Sequence, residues 1–265
     1  SVAALEGMGR TAHDLANKAG VLMTFLPEFE RNIEALRGIL KLQGVQGEAM
    51  FYLDMLEGTF KDVFAPYSER VYRYARLVTD LAAGKPLTPK PKLQSIAHVI
   101  EEAVQFMEPQ AKRRRVKLSL DLDFDAGDCE FDDLYLSRVI ENLVGNAIKA
   151  VAETIPVEWL ARHSGDADAL YPGVTIRSRV GESGHIIEIL DNGPGLSPAQ
   201  IRSILGGKAR SVWTNSKGTG LGTKVVIELS QAMGAKLSIK STLGEGAAFV
   251  LEVPFQQPAR PAEGS

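Results

Sequence analysis

Three short stretches hold side chains at spacings that could do chemistry: Glu141–Lys149 (ENLVGNAIK), Asp191–Gly195 (DNGPG) and Gly218–Gly222 (GTGLG). Asn142 and Asn146 stand four apart with Lys149 three further on, so on a helix they share one face. Amide oxygens suit Mg²⁺, which takes one or two protein ligands and fills the rest of its shell with phosphate oxygens and water. A lysine beside them meets phosphate as a point charge. Asp191 ends an apolar run, and Gly193 and Gly195 let the chain turn sharply behind it. An ionised carboxylate is acceptor-only, which matches the exocyclic amino group of adenine. Gly218, Thr219, Gly220, Leu221 and Gly222 precede a helical pattern; backbone N–H groups there can approach phosphate, with the helix dipole in their favour. Alone, each stretch is also ordinary: a polar helix face, a strand-ending turn, a glycine loop. In this order they are the parts of a nucleoside-triphosphate site with Asn142 and Asn146 as metal ligands.

These parts need elements to position them. Val116–Asp121, Val174–Val180, Ile186–Leu190, Leu237–Ser241 and Ala248–Val253 alternate as strands. Asp132–Ala152 reads as a helix with Asp132 or Asp133 as N-cap, and Thr223–Met233 as one that Gly234 ends. A mixed sheet covered on one face by helices is an α+β sandwich. Glu153–Pro172 reads as an insertion, Ile201–Lys217, with Lys208, Arg210 and Lys217, as a lid over the triphosphate, and the segment beyond Pro254 as a frayed tail.

The first part of the chain has another rhythm. Leu5, Met8, Ala12, Leu15, Ala19, Leu22, Leu26, Phe29, Ile33, Leu36 and Leu40 step by three and four, a heptad stripe. After Gly44–Gly47 a second stripe runs from Leu53 to Leu81, with one slip of register between Tyr67 and Val71. Two long helices joined by a short turn make a hairpin, and pairing two hairpins into a four-helix bundle covers the apolar surface that one leaves open. A homodimer is therefore expected. Each helix holds an interior proline, Pro27 and Pro66, at nearly the same level, which gives either a shared curvature or a hinge. Gly84–Pro91 (GKPLTPKP) is a proline-rich linker. The expected fold is thus an all-α hairpin over residues 1–84, a linker over 85–92, an α+β sandwich over 93–255 and a tail over 256–265.

The bulk composition fits a globular protein of 265 residues with net charge −3, which argues against a nucleic-acid surface. Cys129 is the one cysteine, so an internal disulfide is excluded and a reducing, cytoplasmic compartment is expected. No run approaches the ~20 apolar residues of a membrane helix. The helical pattern is already running by Leu5, which reads as part of a longer sensor. His98, His163 and His185 have no metal-ligand spacing among themselves or with Cys129, and Lys112–Arg115 (KRRR) suits a helix C-terminus better than nucleic acid.

ENLVGNAIK, DNGPGLS, GTGLG and the closing STLGEGAAFVLEVP together resemble the catalytic domain of sensor histidine kinases, over roughly Leu93–Phe255. The resemblance implies an α/β sandwich that holds ATP between helices under a lid, and an upstream phosphoacceptor. Thr11–Asn17 (TAHDLAN) resembles the family's H-box, a histidine followed at once by an acidic residue and four residues later by Asn or Thr. His13, Asp14 and Asn17 then become the catalytic residues. His13 is the nucleophile, Asp14 a partner for one ring nitrogen, and Asn17 an orienter of water in a reverse phosphatase reaction. Lys18 stands where the family usually has proline. The implied partner is the receiver domain of a response regulator, which takes the phosphoryl group on an aspartate.

Two other readings compete. An ATP-driven clamp of the gyrase and mismatch-repair type places a water-activating Glu four residues before the metal-binding Asn; that position is Asn142, and Glu141 points roughly 100° away. A non-catalytic phosphotransfer or scaffold protein would lack pieces of the glycine boxes, which are intact.

Overall fold

A computed structural model describes residues 2–154, 173–206 and 221–255, with side chains for 9–153, 173–206 and 222–255. Two compact units follow each other, Ser1–Leu87 and Thr88–Ser265.

The first unit is helical. Helix α1 (Val2–Leu42) is unbroken and runs straight through Pro27. Gly44 and Gly47, both at positive φ, form the turn. The return limb is α2 (Glu48–Gly58), a π-turn (Thr59–Phe64) and α3 (Ala65–Ala82). The second limb is helical throughout, with one turn widened. The π-turn holds one residue more than the α geometry allows, and the Ala65 N–H reaches back to the Phe60 carbonyl. This widening stands directly before Pro66. The same extra residue accounts for the slip in the second stripe. The two prolines are therefore not equivalent, since only Pro66 has a break in the α pattern beside it.

The single stripe read along α1 divides in two. Ala12, Ala19 and Ile33 are buried against the return limb, with Leu26 and Leu40 half-buried beside them. Leu15, Leu22, Phe29 and Leu36, the alternate members, are exposed, and Phe25 and Ile39 extend their row. Near the turn the core is large: Ile33, Leu53 and Phe60 cluster with Leu26, Leu40 and Ala65, and the Phe29 ring lies 4.5 Å from Phe60. At the other end it is small. Gly9 meets α3 so closely that a Cβ there would stand 2.7 Å from Cβ of Ala82.

The second unit is a sheet with helices on one face. Its elements are β1 (Lys92–Ser95), α4 (Ile96–Arg114), β2 (Lys117–Asp121), β3 (Asp128–Phe131), α5 (Asp133–Thr154), β4 (Gly173–Val180), β5 (Gly184–Asp191), α6 (Pro198–Leu205), α7 (Leu221–Ala232), β6 (Lys236–Thr242) and β7 (Gly246–Pro254). The strand order is β2-β4-β5-β7-β6; β2 is parallel to β4 and the other pairs are antiparallel. The sheet is mixed, as read from the sequence. The short pair β1–β3 forms a separate ribbon. Val174, Ile176, Ile187, Ile189, Phe249 and Leu251 turn to the covered face and are buried. Helix α5 packs against α4, α7, β4 and β5, so Leu136, Ile140, Leu143, Val144, Ile148 and Val151 are all buried. Cys129 is buried in β3, and burial, with Asp128 beside it, pushes its thiol up to about 11.

Lys112–Arg114 fill the last turn of α4, which closes on Arg115 in the left-handed conformation (φ 56°), so the basic run sits at the negative end of a helix dipole. Ile201–Leu205, expected within a loop, belongs to α6. That helix is started by a capping box in which Ser197 accepts from the Gln200 N–H and the Gln200 side chain accepts from the Ser197 N–H. The residues from Gly207 through Gly220, most of the insertion and the tail lie outside the described residues.

Candidate active site

Helix α5 carries the amides and is started by Asp132. One carboxylate oxygen of this buried residue accepts from the Tyr135 N–H at 2.9 Å, in N-cap fashion, and the other from the Lys90 N–H at 2.6 Å. Asn142, Asn146 and Lys149 are half-buried along α5. The Asn142 Nδ2 donates to the Arg138 carbonyl one turn back at 2.7 Å. Its Oδ1 lies against the start of α7, where a Cβ on Gly222 would stand 2.8 Å from it. Asn142 therefore works at the contact between the two helices. Glu141 is buried and ion-paired with Arg138.

Asp191 stands at the end of β5. Its Oδ1 accepts from the Gly193 N–H at 2.9 Å, and the Ala247 N–H donates to the carboxylate as well. Burial pushes Asp191 above the usual carboxylate range, and those two donors pull against the rise. A Cβ on Gly193 would come within 2.8 Å of that oxygen and 3.4 Å of Ala150, so this turn is sealed against α5 one residue past Lys149. Gly195 has φ 69°, and a Cβ there would collide with the Thr242 carbonyl. The β6–β7 turn locks the arrangement: Gly244 N–H donates to the Pro194 carbonyl at 2.8 Å, Leu196 N–H to the Ser241 hydroxyl at 2.8 Å, and that hydroxyl to the Gly246 carbonyl at 2.6 Å.

Two of the predicted fragments thus meet α5 at separate points: Gly222 at Asn142 and Gly193 at Ala150. Gly218, Thr219 and Gly220 lie outside the described residues, and Leu221 is placed by its backbone alone. Sequence reasoning missed the supports: the Arg138–Glu141 pair, Ser241 under the turn, and the Ser197–Gln200 box. Only the last had a local signature, Ser-x-x-Gln before an apolar run.

In the first unit His13, Asp14 and Asn17 are exposed on α1. His13 and Asp14 line an open cavity of about 960 Å³ with Gly9, Thr11, Lys18 and Ala82. Asn17 Nδ2 stands 3.3 Å from His13 Nδ1, and Asp14 pairs instead with Lys18 at 3.5 Å. Helical side chains lean toward the N-terminus, so residue i+4 reaches back to residue i while neighbours diverge.

Residues 131–257 match the family described as histidine kinase-, DNA gyrase B-, and HSP90-like ATPase. The alginate biosynthesis sensor protein KinB of Pseudomonas aeruginosa is 28% identical over 198 residues, 73% of this chain and 30% of KinB. The sensor histidine kinase ZraS of Salmonella typhimurium is 27% identical over 216 residues, 80% of this chain and 42% of ZraS. The chain is similar to sensor histidine kinases over these stretches. It spans less than half the length of both relatives. Full-length ShkA in complex with AMPPNP shares its fold, with a TM-score of 0.52 and 22% identity over 93% of this chain and 47% of ShkA. Among the described residues no helix is long and apolar enough to cross a membrane.

Proposed function

We propose that the chain is an ATP-dependent autokinase that phosphorylates its own His13 and passes the phosphoryl group to an aspartate on a response-regulator receiver domain. The observation that carries this reading is the state of Glu141. It stands next to Asn142 in the sequence, and it is buried and ion-paired with Arg138. With Asn142 at the position where a clamp ATPase needs its base, no carboxylate on this face of α5 can activate water. The site therefore needs a nucleophile from elsewhere, and His13 is an exposed imidazole.

The donor set fits Mg²⁺ through the amide oxygens of Asn146 and Asn142. Asn142 has its amide N–H committed to Arg138, and among the described residues no group of three or more His, Cys, Asp or Glu could hold a metal. That suits an ion that depends mainly on phosphate oxygens. Such an ion supplies charge neutralisation at the phosphates. The chain's own part is positional: Asp191 accepts from the adenine amino group, Gly193 and Gly195 let the chain pass close to the base, Lys149 meets phosphate, and Gly218–Gly222 wrap it with backbone N–H groups. The exposed row from Leu15 to Ile39 supports a homodimer. Asp14 and Asn17 belong to a reverse phosphatase activity on the receiver.

Incubation with γ-labelled ATP tests the reading. Acid-labile, base-stable label is expected on the wild type and absent from His13→Gln. Persistence of label on the variant would overturn the assignment. Steady ADP release by His13→Gln would favour a clamp-type hydrolase, and failure to bind ATP at physiological Mg²⁺ would favour a scaffold.

A further inference from the structure

We propose that the free edge of the sheet in the second unit is a contact between two copies of this chain, in which β2 pairs antiparallel with β2 of the second copy about a twofold axis at Ser119. The inference does not draw on the autokinase reading. In the order β2-β4-β5-β7-β6 the strand β2 has one neighbour, β4. Among the described residues, its outward N–H and C=O groups therefore meet no other strand, and such an edge is a template for pairing. Lys117–Asp121 runs in unbroken register and holds no proline to blunt it.

The charges around the edge select the partner. Reading outward from Ser119, Lys117 matches Asp121, Arg115 matches Asp123 and Arg113 matches Asp125, while Leu118 matches Leu120. In an antiparallel pair centred on Ser119, residues at equal distances on either side of it stand opposite each other. Lys117 of each copy then faces Asp121 of the other, and Leu118 faces Leu120. A parallel pair in register would instead set Lys117 against Lys117 and Asp121 against Asp121, which repels. The faces agree as well. Leu118 and Leu120 stand level with the buried Val174 and Ile176 of β4, so they lie on the covered face, and Lys117, Ser119 and Asp121 lie on the open one. A twofold axis perpendicular to the sheet keeps each face on its own side. It extends the apolar layer over Leu120, which is 41% exposed in a single copy. Lys117 is exposed and has no ion-pair partner among the described residues. Asp121 meets Arg177 at 3.1 Å, yet its side chain stays 72% exposed and can take a second cation. Arg115 adds to the pattern: it keeps a cation in a left-handed conformation (φ 56°) that glycine adopts more easily. The contact is isologous and closes on itself. With five residues on each side it is small, so it is weak alone and is best trapped covalently.

The test uses the full chain. Residues directly opposite in an antiparallel pair have Cα atoms about 4.5–5.5 Å apart, within disulfide reach. Ser119 meets its own copy, whereas two Lys117 positions would stand more than about 13 Å apart. Under a mild oxidant, Ser119→Cys should give disulfide-linked dimers about ten-fold faster than Lys117→Cys. The wild type, whose Cys129 is buried, is the blank. Adding Lys117→Glu to Ser119→Cys should slow the linkage several-fold, and adding Lys117→Arg should leave it unchanged, with thermal melts showing that each variant is folded. Equal rates at residues 117 and 119, or a rate indifferent to Lys117→Glu, would overturn the inference. Absence of any linkage at residue 119 would also overturn it, and would leave the edge to a strand of another protein.

Discussion

Asp191 is kept where its charge costs the fold something. Burial raises it, and two backbone donors only partly compensate. A carboxyl whose folded value lies above its unfolded value gives its best stability when protonated, and that stability is lost as pH rises through the folded value. Asp191→Asn should therefore remove this loss and hold or raise the urea midpoint at neutral pH, while nucleotide binding measured by calorimetry collapses. His185 has the opposite sign. It is buried in β5 against the Phe255 ring, and burial lowers it, with Asp123 opposing. As pH falls, the unfolded chain takes up the proton first, so stability is present above the ordinary histidine value and drops as pH falls below it. Denaturation midpoints of His185→Leu across that range should lack this component of the slope. The amides and glycines of the site were legible because their chemistry is local. That the Asn142 oxygen would face α7 was not, since that helix lies far along the chain.

At the scale of elements, the π-turn before Pro66 reconciles two demands. A proline inside an α-helix loses a hydrogen bond and clashes with the turn before it, at about 3 kcal/mol, and the second stripe has one residue too many for a steady heptad. One widened turn meets both. Deleting Asp62 alone should force α geometry onto Pro66 and destabilise the chain by about 3 kcal/mol, and adding Pro66→Ala to the deletion should restore most of that. Thermal melts followed by circular dichroism decide it. An equal loss in both variants would mean the turn has another origin. Heptad counting saw the slip but put it where the stripe resumed; the backbone absorbs it about a turn earlier, next to the proline. The capping box of α6 was readable from Ser197 and Gln200, and Ser197→Ala should cost about 1 kcal/mol.

For the whole molecule, the first unit shows how far pattern reading reaches. The heptad spacing of α1 identified a helix with a continuous apolar stripe, but spacing alone does not say which neighbour each residue faces. The return limb claims Ala12, Ala19 and Ile33, meets Phe29 through Phe60, and leaves Leu15, Leu22 and Leu36 exposed. Leu22→Glu with Leu36→Glu should give monomers by analytical ultracentrifugation with helical content preserved, because neither residue belongs to the buried row. In the second unit the sandwich was legible from alternation, whereas the β1–β3 ribbon was not: four-residue strands carry too few alternations to register.

Asp132 gives the second unit a boundary that its proline-rich approach conceals. Lys90 sits within that approach, yet its backbone N–H ends on a buried carboxylate oxygen whose twin starts α5. Beginning an excised catalytic fragment at Lys92 would remove one donor from that carboxylate, at about 1 kcal/mol, and loosen the helix that carries Asn142, Asn146 and Lys149. Beginning it at Thr88 would keep the knot tied.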